Sequence, residues 1–539
     1  MKKKLVALVL AVAMTCSLAG CGGSGNDSPS EDTGTETDAG EQTDTEGTQD
    51  SGEEASGGEV KNTVKIAMNN DPLTLAPNGY SSDGFSAAQL YDQLWYLTDG
   101  ERIMRLAESV EVEDDTHLLI KIQSGIQDIE GNEISASDVL FSVGLAKNGT
   151  AGYPGATRYI DMDNSEVMDD TTVRLALSQP CSFQADALSM VNIVSEAAYN
   201  ASSDGMVTTP VGSGPYKLKE YVSGSYLVLE ANESYWAGAP ALKEITLQFI
   251  AEESQRTNAL LTGEVDLARD IAYVDVSTVD STDGLEVWIE DTLTASALFY
   301  NCSSASVCDN EELRKAIAFA INNEACKSAS FGGYASNVST CTSPRFGDYK
   351  EAWAELSADT GYYAYDVDKA KECLANAGVA EGTTVRLVHN GNNKQAAEAE
   401  VIQSCLKEIG LNCELVSVPD TTADLVSNQP ESWDIVLWTW TNFPAQSSLA
   451  TLNTFIYSSN YMHLEGEEQD SIFGKIEEAV ATYDDAEKDE VMLSLYQDLY
   501  DILPAYGLYN IQNLSGKDAG LNIVSKCQSF PLFTETGWK

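Results

Sequence analysis

Positive charge is what this chain has least of: 31 lysines and arginines stand against 84 aspartates and glutamates, a formal net charge of −53. Such a surface repels nucleic acid and anionic headgroups, so no nucleic-acid partner is expected, and neutral or cationic ligands suit it better. Histidine is scarcer still. His117, His389 and His463 are the only three, and none lies in an HExxH pattern. GxSxG, phosphate-loop and GxGxxG motifs are missing as well, which removes the common hydrolase and nucleotide-dependent classes. No CxxC or Cys/His ligand spacing occurs. An enzyme, a bound cofactor and a metal site are therefore not expected. Asp161-Met162-Asp163-Asn164 lacks the glycine and terminal glutamate of a calcium loop and reads as a turn. Long apolar runs are absent too: nothing after the first twenty residues approaches the eighteen that a membrane-spanning helix needs.

The N-terminus carries the clearest pattern. Lys2, Lys3 and Lys4 precede a ten-residue apolar run, Leu5 to Met14, and then Leu18-Ala19-Gly20-Cys21. The run is too short to span a bilayer, so it reads as an export signal. The whole resembles a bacterial lipoprotein signal, cleaved after residue 20 and lipidated on Cys21. That resemblance implies a mature protein outside the cytoplasm, held by lipid to the outer face of the bacterial cytoplasmic membrane. Removing three lysines takes the net charge to 28 − 84 = −56. Residues 21–59 then form an acidic tether. From Gly22 to Glu59 there is no lysine, arginine or aromatic residue, so no core can form there. A flexible chain of that length spans about 35 Å, enough to hold a globular body above a lipid surface.

Eleven cysteines are present. Apart from Cys16 and Cys21, the nine that remain are an odd number, so a monomer keeps at least one free thiol. Most replace apolar residues in helical patterns, as Cys405 does beside Ile402, Leu406 and Ile409, and read as buried small hydrophobes. Cys302–Cys308 is the best-placed local disulfide.

The 480 residues from Val60 onward suffice for two or three domains. Strands are expected at Val64–Met68, His117–Ile122, Thr171–Leu177, Tyr226–Ala231 and Glu244–Ile250. Helices are expected at Ser86–Tyr96, from the capping-box-like Ser135 to Ala146, and at Ser254–Thr262. Further on, helices at Glu311–Ile321, Asp366–Gly378 and Lys394–Ile409 alternate with strands at Thr384–Val388, Cys413–Val418 and Trp433–Trp438. This alternation argues for an α/β lobe with a largely parallel sheet. Helices around 469–482 and 487–501 lead to a last short strand, Ala505–Tyr509.

Several motifs, in order, resemble one family. Asp115-Thr116 is followed by Gly131, Asp138-Val139 and Phe141-Ser142. Gly212-Ser213-Gly214-Pro215-Tyr216 is followed by Asn232, Tyr235-Trp236 and Pro240. Gly263-Glu264-Val265-Asp266, Leu313-Arg314, Asp366-Val367-Asp368-Lys369-Ala370-Lys371, Ile409-Gly410-Leu411 and Trp433-Asp434-Ile435 complete the series. The chain resembles the extracytoplasmic solute-binding proteins, family 5, of peptide-type ABC importers. The resemblance implies an α/β, two-lobed periplasmic-binding-protein-like fold of class II with an extra subdomain in the first lobe and a ligand cleft between the lobes. It implies a first lobe over 60–296, with the subdomain at about 80–188, a second lobe over 297–503 and a return to the first over 504–539. The implied protein is a monomer that closes on a peptide or other small solute and hands it to ABC permease subunits. A surface sensor or adhesin, a sugar-binding member of the same fold and a lipoprotein hydrolase are the alternative readings.

In peptide-binding members a carboxylate just after the strand matching Trp433–Trp438 anchors the ligand's ammonium group. Here no Asp or Glu occurs between Asp434 and Glu465, which points as readily to a neutral solute. Trp438, Trp440 and Phe443, with Asn442 between them, are the candidate ligand wall at the carboxyl end of a strand; Trp438 is equally placed to be core. Tyr80, Tyr300 and Asn301 are the candidate polar contacts. Asn390 and Asn392, between a strand and a helix, are further candidates. Tyr235 and Trp236 are expected to pack within the first lobe, and Gly212 and Gly214 to permit a tight turn.

Overall fold

The computed structural model describes residues 61–78, 84–148, 155–418, 422–440, 445–524 and 533–539, without the side chains of 422–424 and 440. The expected signal and tether, Cys21, Tyr80, Asn442, Phe443 and Cys527 lie outside the described residues.

Seventeen strands carry the description: β1 (Thr63–Met68), β2 (Trp95–Thr98), β3 (Glu101–Met104), β4 (Ala107–Asp114), β5 (His117–Ile122), β6 (Ile160–Val167), β7 (Thr172–Leu177), β8 (Tyr216–Val222), β9 (Tyr226–Ala231), β10 (Glu244–Phe249), β11 (Leu267–Ala268), β12 (Leu285–Tyr300), β13 (Ala335–Asn337), β14 (Thr384–His389), β15 (Asn412–Ser417), β16 (Ile435–Trp440) and β17 (Ala505–Asp518). The helices that matter here are α1 (Ala136–Asn148), α2 (Glu311–Ala320), α3 (Asn323–Phe331), α4 (Asn393–Glu408), α5 (Gly466–Ala481) and α6 (Asp485–Ile502).

One sheet runs through the body in the order β8-β9-β10-β1-β11-β17-β12-β16-β14-β15, with β13 beside β17. Its first half, β8 to β11, holds the β1–β10 parallel pair, Thr63↔Glu244 to Met68↔Phe249. Its second half is β16-β14-β15, all parallel. The two halves meet on the long antiparallel pair β12 and β17. Leu285–Asp291 faces Gln512–Asp518 on the first-half side, Ala295–Phe299 faces Ala505–Asn510 on the second-half side, and the register shifts between Asp291 and Ala295. A separate four-stranded sheet, β4-β5-β7-β6, packs with α1 beside the first half.

Several expected elements are longer or different. The last strand runs on to Asp518, because its alternating residues pair with β12 over its whole length. The expected helix Ser86–Tyr96 ends at Leu90, and Trp95–Thr98 is half of a hairpin. Its two-residue turn is Asp99-Gly100, both with positive φ (49° and 81°), the conformation that such tight hairpins require. Asp161–Asn164 sits in an irregular stretch of β6, where Asp161 Oδ2 accepts from Asn164 Nδ2 at 2.7 Å.

Gly212 and Gly214 do not have positive φ. A Cβ on either would collide with the backbone of Leu90, so both are needed for close approach. That approach brings Ser213 to the buried Asp92. The Asp92 carboxylate accepts from Ser213 Oγ (3.1 Å), Tyr235 Oη (2.8 Å) and Trp236 Nε1 (2.8 Å) and pairs with Arg105 (3.3 Å). Tyr235 and Trp236 thus hold a buried ion pair. The eight described cysteines are free, and most are buried. Cys302 and Cys308 are not bonded to each other; burial pushes the Cys302 thiol up to about 11.

At the junction of the halves lies one buried carboxyl. Glu398 of α4 is 2% exposed and accepts from Ser296 Oγ of β12 at 3.2 Å. Ser296 and Tyr509 are register partners on β12 and β17, and both side chains flank Glu398. Burial raises this carboxyl to about 7, against the hydrogen bonds from Tyr509 and Ser296. A raised value means that the folded state holds the proton more tightly than the unfolded chain. The contribution is complete below the unfolded value near 4.5 and is lost as pH rises through about 7. Chemical unfolding of the wild type and Glu398→Gln at pH 5 and pH 8 should give stability differences that diverge by roughly 2–3 kcal/mol, the variant gaining on the wild type at pH 8.

Candidate functional site

β16 is fixed at its base before it reaches the site. Asp434, 1% exposed, accepts from Arg386 N, Nε and Nη2, each at 2.8 Å, from Ser306 Oγ at 2.8 Å and from Val307 N at 3.3 Å. Burial works to raise its carboxyl, but the Arg386 and Ser306 hydrogen bonds hold it below the ordinary aspartate value. The strand then runs against β12, with Ala297 opposite Trp438 and Ala295 opposite Trp440.

Trp438 is half-buried in an aromatic cluster. Its ring lies 5.8 Å from Phe299, 6.1 Å from Phe455 and 5.2 Å from Tyr461. Much of the ring is therefore packing, and part remains exposed. For Trp440 only the backbone is described.

Two candidate polar contacts are corrected. Tyr300 is fully buried, and its N–H donates to Pro504 O at 3.0 Å. Asn301 is also fully buried. Its Nδ2 donates to Pro430 O (2.7 Å) and Trp433 O (3.1 Å), and its Oδ1 accepts from Ser303 N (3.1 Å) and Ser303 Oγ (2.7 Å). All its hydrogen-bonding capacity is used inside the second half, so neither residue faces a ligand. Asn390 and Asn392 are likewise committed locally: Asn392 caps α4 through Gln395 N at 2.9 Å, and Asn390 Oδ1 accepts from Asn392 N at 3.1 Å. His389 is buried, which lowers its pKa, and its Nδ1 accepts from Gly391 N at 3.1 Å. Among the described residues no group of His, Cys, Asp or Glu is placed to hold a metal ion.

A space that can take a solute lies where the β2–β3 hairpin faces the second half. A cavity of about 600 Å³ opens between the β2–β3 hairpin and the Ser182–Asp186 segment on one side and residues 347–353, 445–449 and the start of α6 on the other. Leu97, Phe183, Trp353, Leu449 and Met492 give it apolar surface. Ion pairs ring it: Arg102–Asp186 (2.6 Å), Lys350–Asp489 (3.0 Å) and Lys488–Asp485 (3.0 Å). Burial raises the Asp186 carboxyl; Arg102 opposes the shift and Asp348 adds to it. Asp348 accepts from Ser447 Oγ (2.6 Å), Ser448 N (2.7 Å) and Leu449 N (3.0 Å), which fixes the chain where it leaves the segment after β16. The arrangement offers apolar contact and paired charges, the usual make-up of a binding pocket.

Around this cavity the halves are in direct contact. Asn453 Nδ2 donates to Tyr159 Oη at 3.0 Å, Ser182 N donates to Val480 O at 2.8 Å, and Cys181 N donates to Tyr483 Oη at 3.1 Å. At one point the approach is glycine to glycine: a Cβ on Gly100 would stand 2.9 Å from Gly347 Cα.

A two-part sheet on two shared strands, closing over a cavity, is an architecture with known counterparts. The description of the bacterial extracellular solute-binding proteins, family 5, middle region, matches residues 101–462. The chain belongs to that family. Among its relatives is the glutathione-binding protein GsiB of Escherichia coli strain K12, 26% identical over 364 residues, covering 66% of this chain and 69% of GsiB. The fold matches the ABC transporter substrate-binding protein CtaP of Listeria monocytogenes with a TM-score of 0.77 at 20% identity, over 89% of this chain and all of that one. It also matches the oligopeptide-binding protein AppA of Bacillus subtilis in complex with a nonapeptide, TM-score 0.70 at 20% identity, again over 89% and 100%. The two-lobed family 5 fold is therefore present, and the halves described above are its lobes. Members of this family are extracytoplasmic solute-binding proteins that work with ABC transporters.

Within this family 5 protein, residue-by-residue reading missed the cavity's first-lobe wall. The turn Asp99-Gly100 was the available signal, since Asp-Gly between apolar runs marks a hairpin. The second-lobe wall left no such signal. Asp348 lies far from Ser447 in sequence, and only the fold makes it a cap. The Gly100–Gly347 contact yields a direct test. Gly347→Ala places a methyl group against the Gly100 backbone and should hold the lobes apart there. Small-angle scattering should give the variant a larger radius of gyration than the wild type, with unchanged circular dichroism.

Proposed function

We propose that this protein is the capture subunit of an ABC importer, taking a peptide or other small solute between its lobes and delivering it to membrane permease subunits. The observation that carries this reading is the 600 Å³ cavity between the lobes of a family 5 fold, apolar within and ringed by ion pairs. The glutathione bound by GsiB and the nonapeptide in the AppA complex favour peptides. The lobes are taken to span 60–296 with 504–539, and 297–503, with the subdomain at about 80–188. The protein acts as a monomer that opens and closes by hinge motion, without enzymatic turnover. Trp438, Trp440, Asn442, Phe443 and Tyr80 remain the candidate ligand-facing residues beside the cavity walls. The chain is anchored through lipid on Cys21, and residues 22–59 act as an acidic spacer between membrane and body.

Thermal-shift measurements on the mature chain with glutathione, di- to hexapeptides, oligosaccharides and amino acids test the capture role. A solute at a hundredfold excess over its Kd should add about 2.7 kcal/mol of stability; no rise with any of them would remove the capture reading. The anchor is tested separately. Cys21→Ser should move the protein from the membrane fraction to the soluble fraction, and metabolic labelling with a fatty acid should disappear with it.

A further inference from the structure

The start of α4 touches both lobes. Lys394 Nζ pairs with Glu253 of the first-lobe helix Glu253–Leu261 at 3.0 Å. One turn further on, the buried Glu398 reaches the strands that the lobes share, at Ser296 of β12 and Tyr509 of β17.

The ladder is least regular at this place. β12 and β17 change register between Asp291 and Ala295 and again between Ser296 and Ala297. Side chains bridge the first gap: Thr292 Oγ1 donates to Ile511 O at 2.7 Å, and Asn510 Nδ2 donates to Thr292 O at 2.9 Å. Ser296 and Tyr509, the register pair beside Glu398, sit at the second. Lobes that share two strands part by bending them, and the bend falls where the ladder is already broken.

Nothing around Glu398 balances a charge. β12 brings Ser296, β17 brings Tyr509 and α3 brings Cys326. Burial keeps both the tyrosine and the thiol protonated. α2, β14 and β15 also pack on α4, and no charged group of theirs among the described residues bears on this carboxyl. Lys394, on the same helix, is committed to Glu253. A carboxylate buried without a cation is costly unless water reaches it, and burial raises this carboxyl to about 7.

We propose that Glu398 makes lobe closure proton-linked: the closed arrangement holds its carboxyl neutral, and bending of the shared strands beside it admits water and lets the proton go. The inference rests on the capture role above and deepens it by adding regulation of the same cleft. The proton acts as a ligand of the closed state. Mildly acidic surroundings therefore favour closure, and rising pH favours opening and release of the solute.

Hydrogen–deuterium exchange of the unliganded mature chain at pH 6 and pH 8 is the test. The reporters are the amides of Cys181 and Ser182, which donate across the lobes to Tyr483 Oη and Val480 O. After correction for intrinsic exchange, their protection in the wild type should fall roughly five- to tenfold from pH 6 to pH 8. In Glu398→Gln, and in Glu398→Leu as a second neutral variant, it should stay the same. A purely structural Glu398 would confine the pH dependence to slow amides such as those of β1, which exchange by unfolding. Equal protection of Cys181 and Ser182 at both pH values in the wild type, or an equal fall in the folded neutral variants, overturns the proposal. No solute enters the experiment, so that outcome leaves the capture role standing. A thermal-shift panel without a rise removes the capture role and leaves the proton-linked parting of the lobes to stand or fall by exchange.

Discussion

The pairing of β12 with β17 is the constraint on which the rest depends. These two strands, 16 and 14 residues long, are shared by both halves of the main sheet. The ladder runs from Leu285↔Asp518 to Phe299↔Ala505. Its partners are remote in sequence, so the chain must build the whole second lobe before the first can be finished. Closing so long a loop is entropically costly and slow, and the ladder answers that cost with continuous backbone hydrogen bonding. Because each lobe hangs on the same two strands, the cavity walls meet in one arrangement. The register shift between Asp291 and Ala295 is where the ladder is least tied, and Glu398 sits beside it.

Each lobe is then stiffened by a buried charge. In the first, Asp92 gathers Arg105, Ser213, Tyr235 and Trp236 from distant segments. In the second, Asp434 ties β14 to β16 and to Ser306. A buried ion pair contributes little net stability against an apolar alternative, but breaking one is expensive. What it supplies is a fixed geometry: the Asp434 network sets where β16 emerges, and hence where Trp438 packs. Arg105 and Arg386 are spent in this way.

Much of the architecture was legible in the residue pattern, because it rests on local periodicity. Strands β1, β5, β9, β10, β14 and β15 and helices α1, α2 and α4 follow two-fold or helical spacing of apolar residues, with caps such as Asn392 where a helix begins. The failures share one cause. The apolar residues at the end of the helix expected over Ser86–Tyr96, Leu94-Trp95-Tyr96, suit either state, and the Asp99-Gly100 turn decided for strand. The last strand was cut short at Tyr509 because its polar continuation pairs only with a strand two hundred residues away. Tyr300 and Asn301 were placed at the cleft by their position in the chain, whereas the lobe closes over them.

The amino-acid sequence alone determined the export-type pattern of the N-terminus, the acidic composition of residues 22–59, the local strands and helices and the absence of a carboxylate just after β16. Each depends on composition or on residues near one another along the chain. Which side chains face the cavity was decided only by the tertiary structure. Burial, the Gly100–Gly347 contact and the Asp348 cap are relations between segments far apart in sequence. They exist only once the long ladder has brought the lobes together.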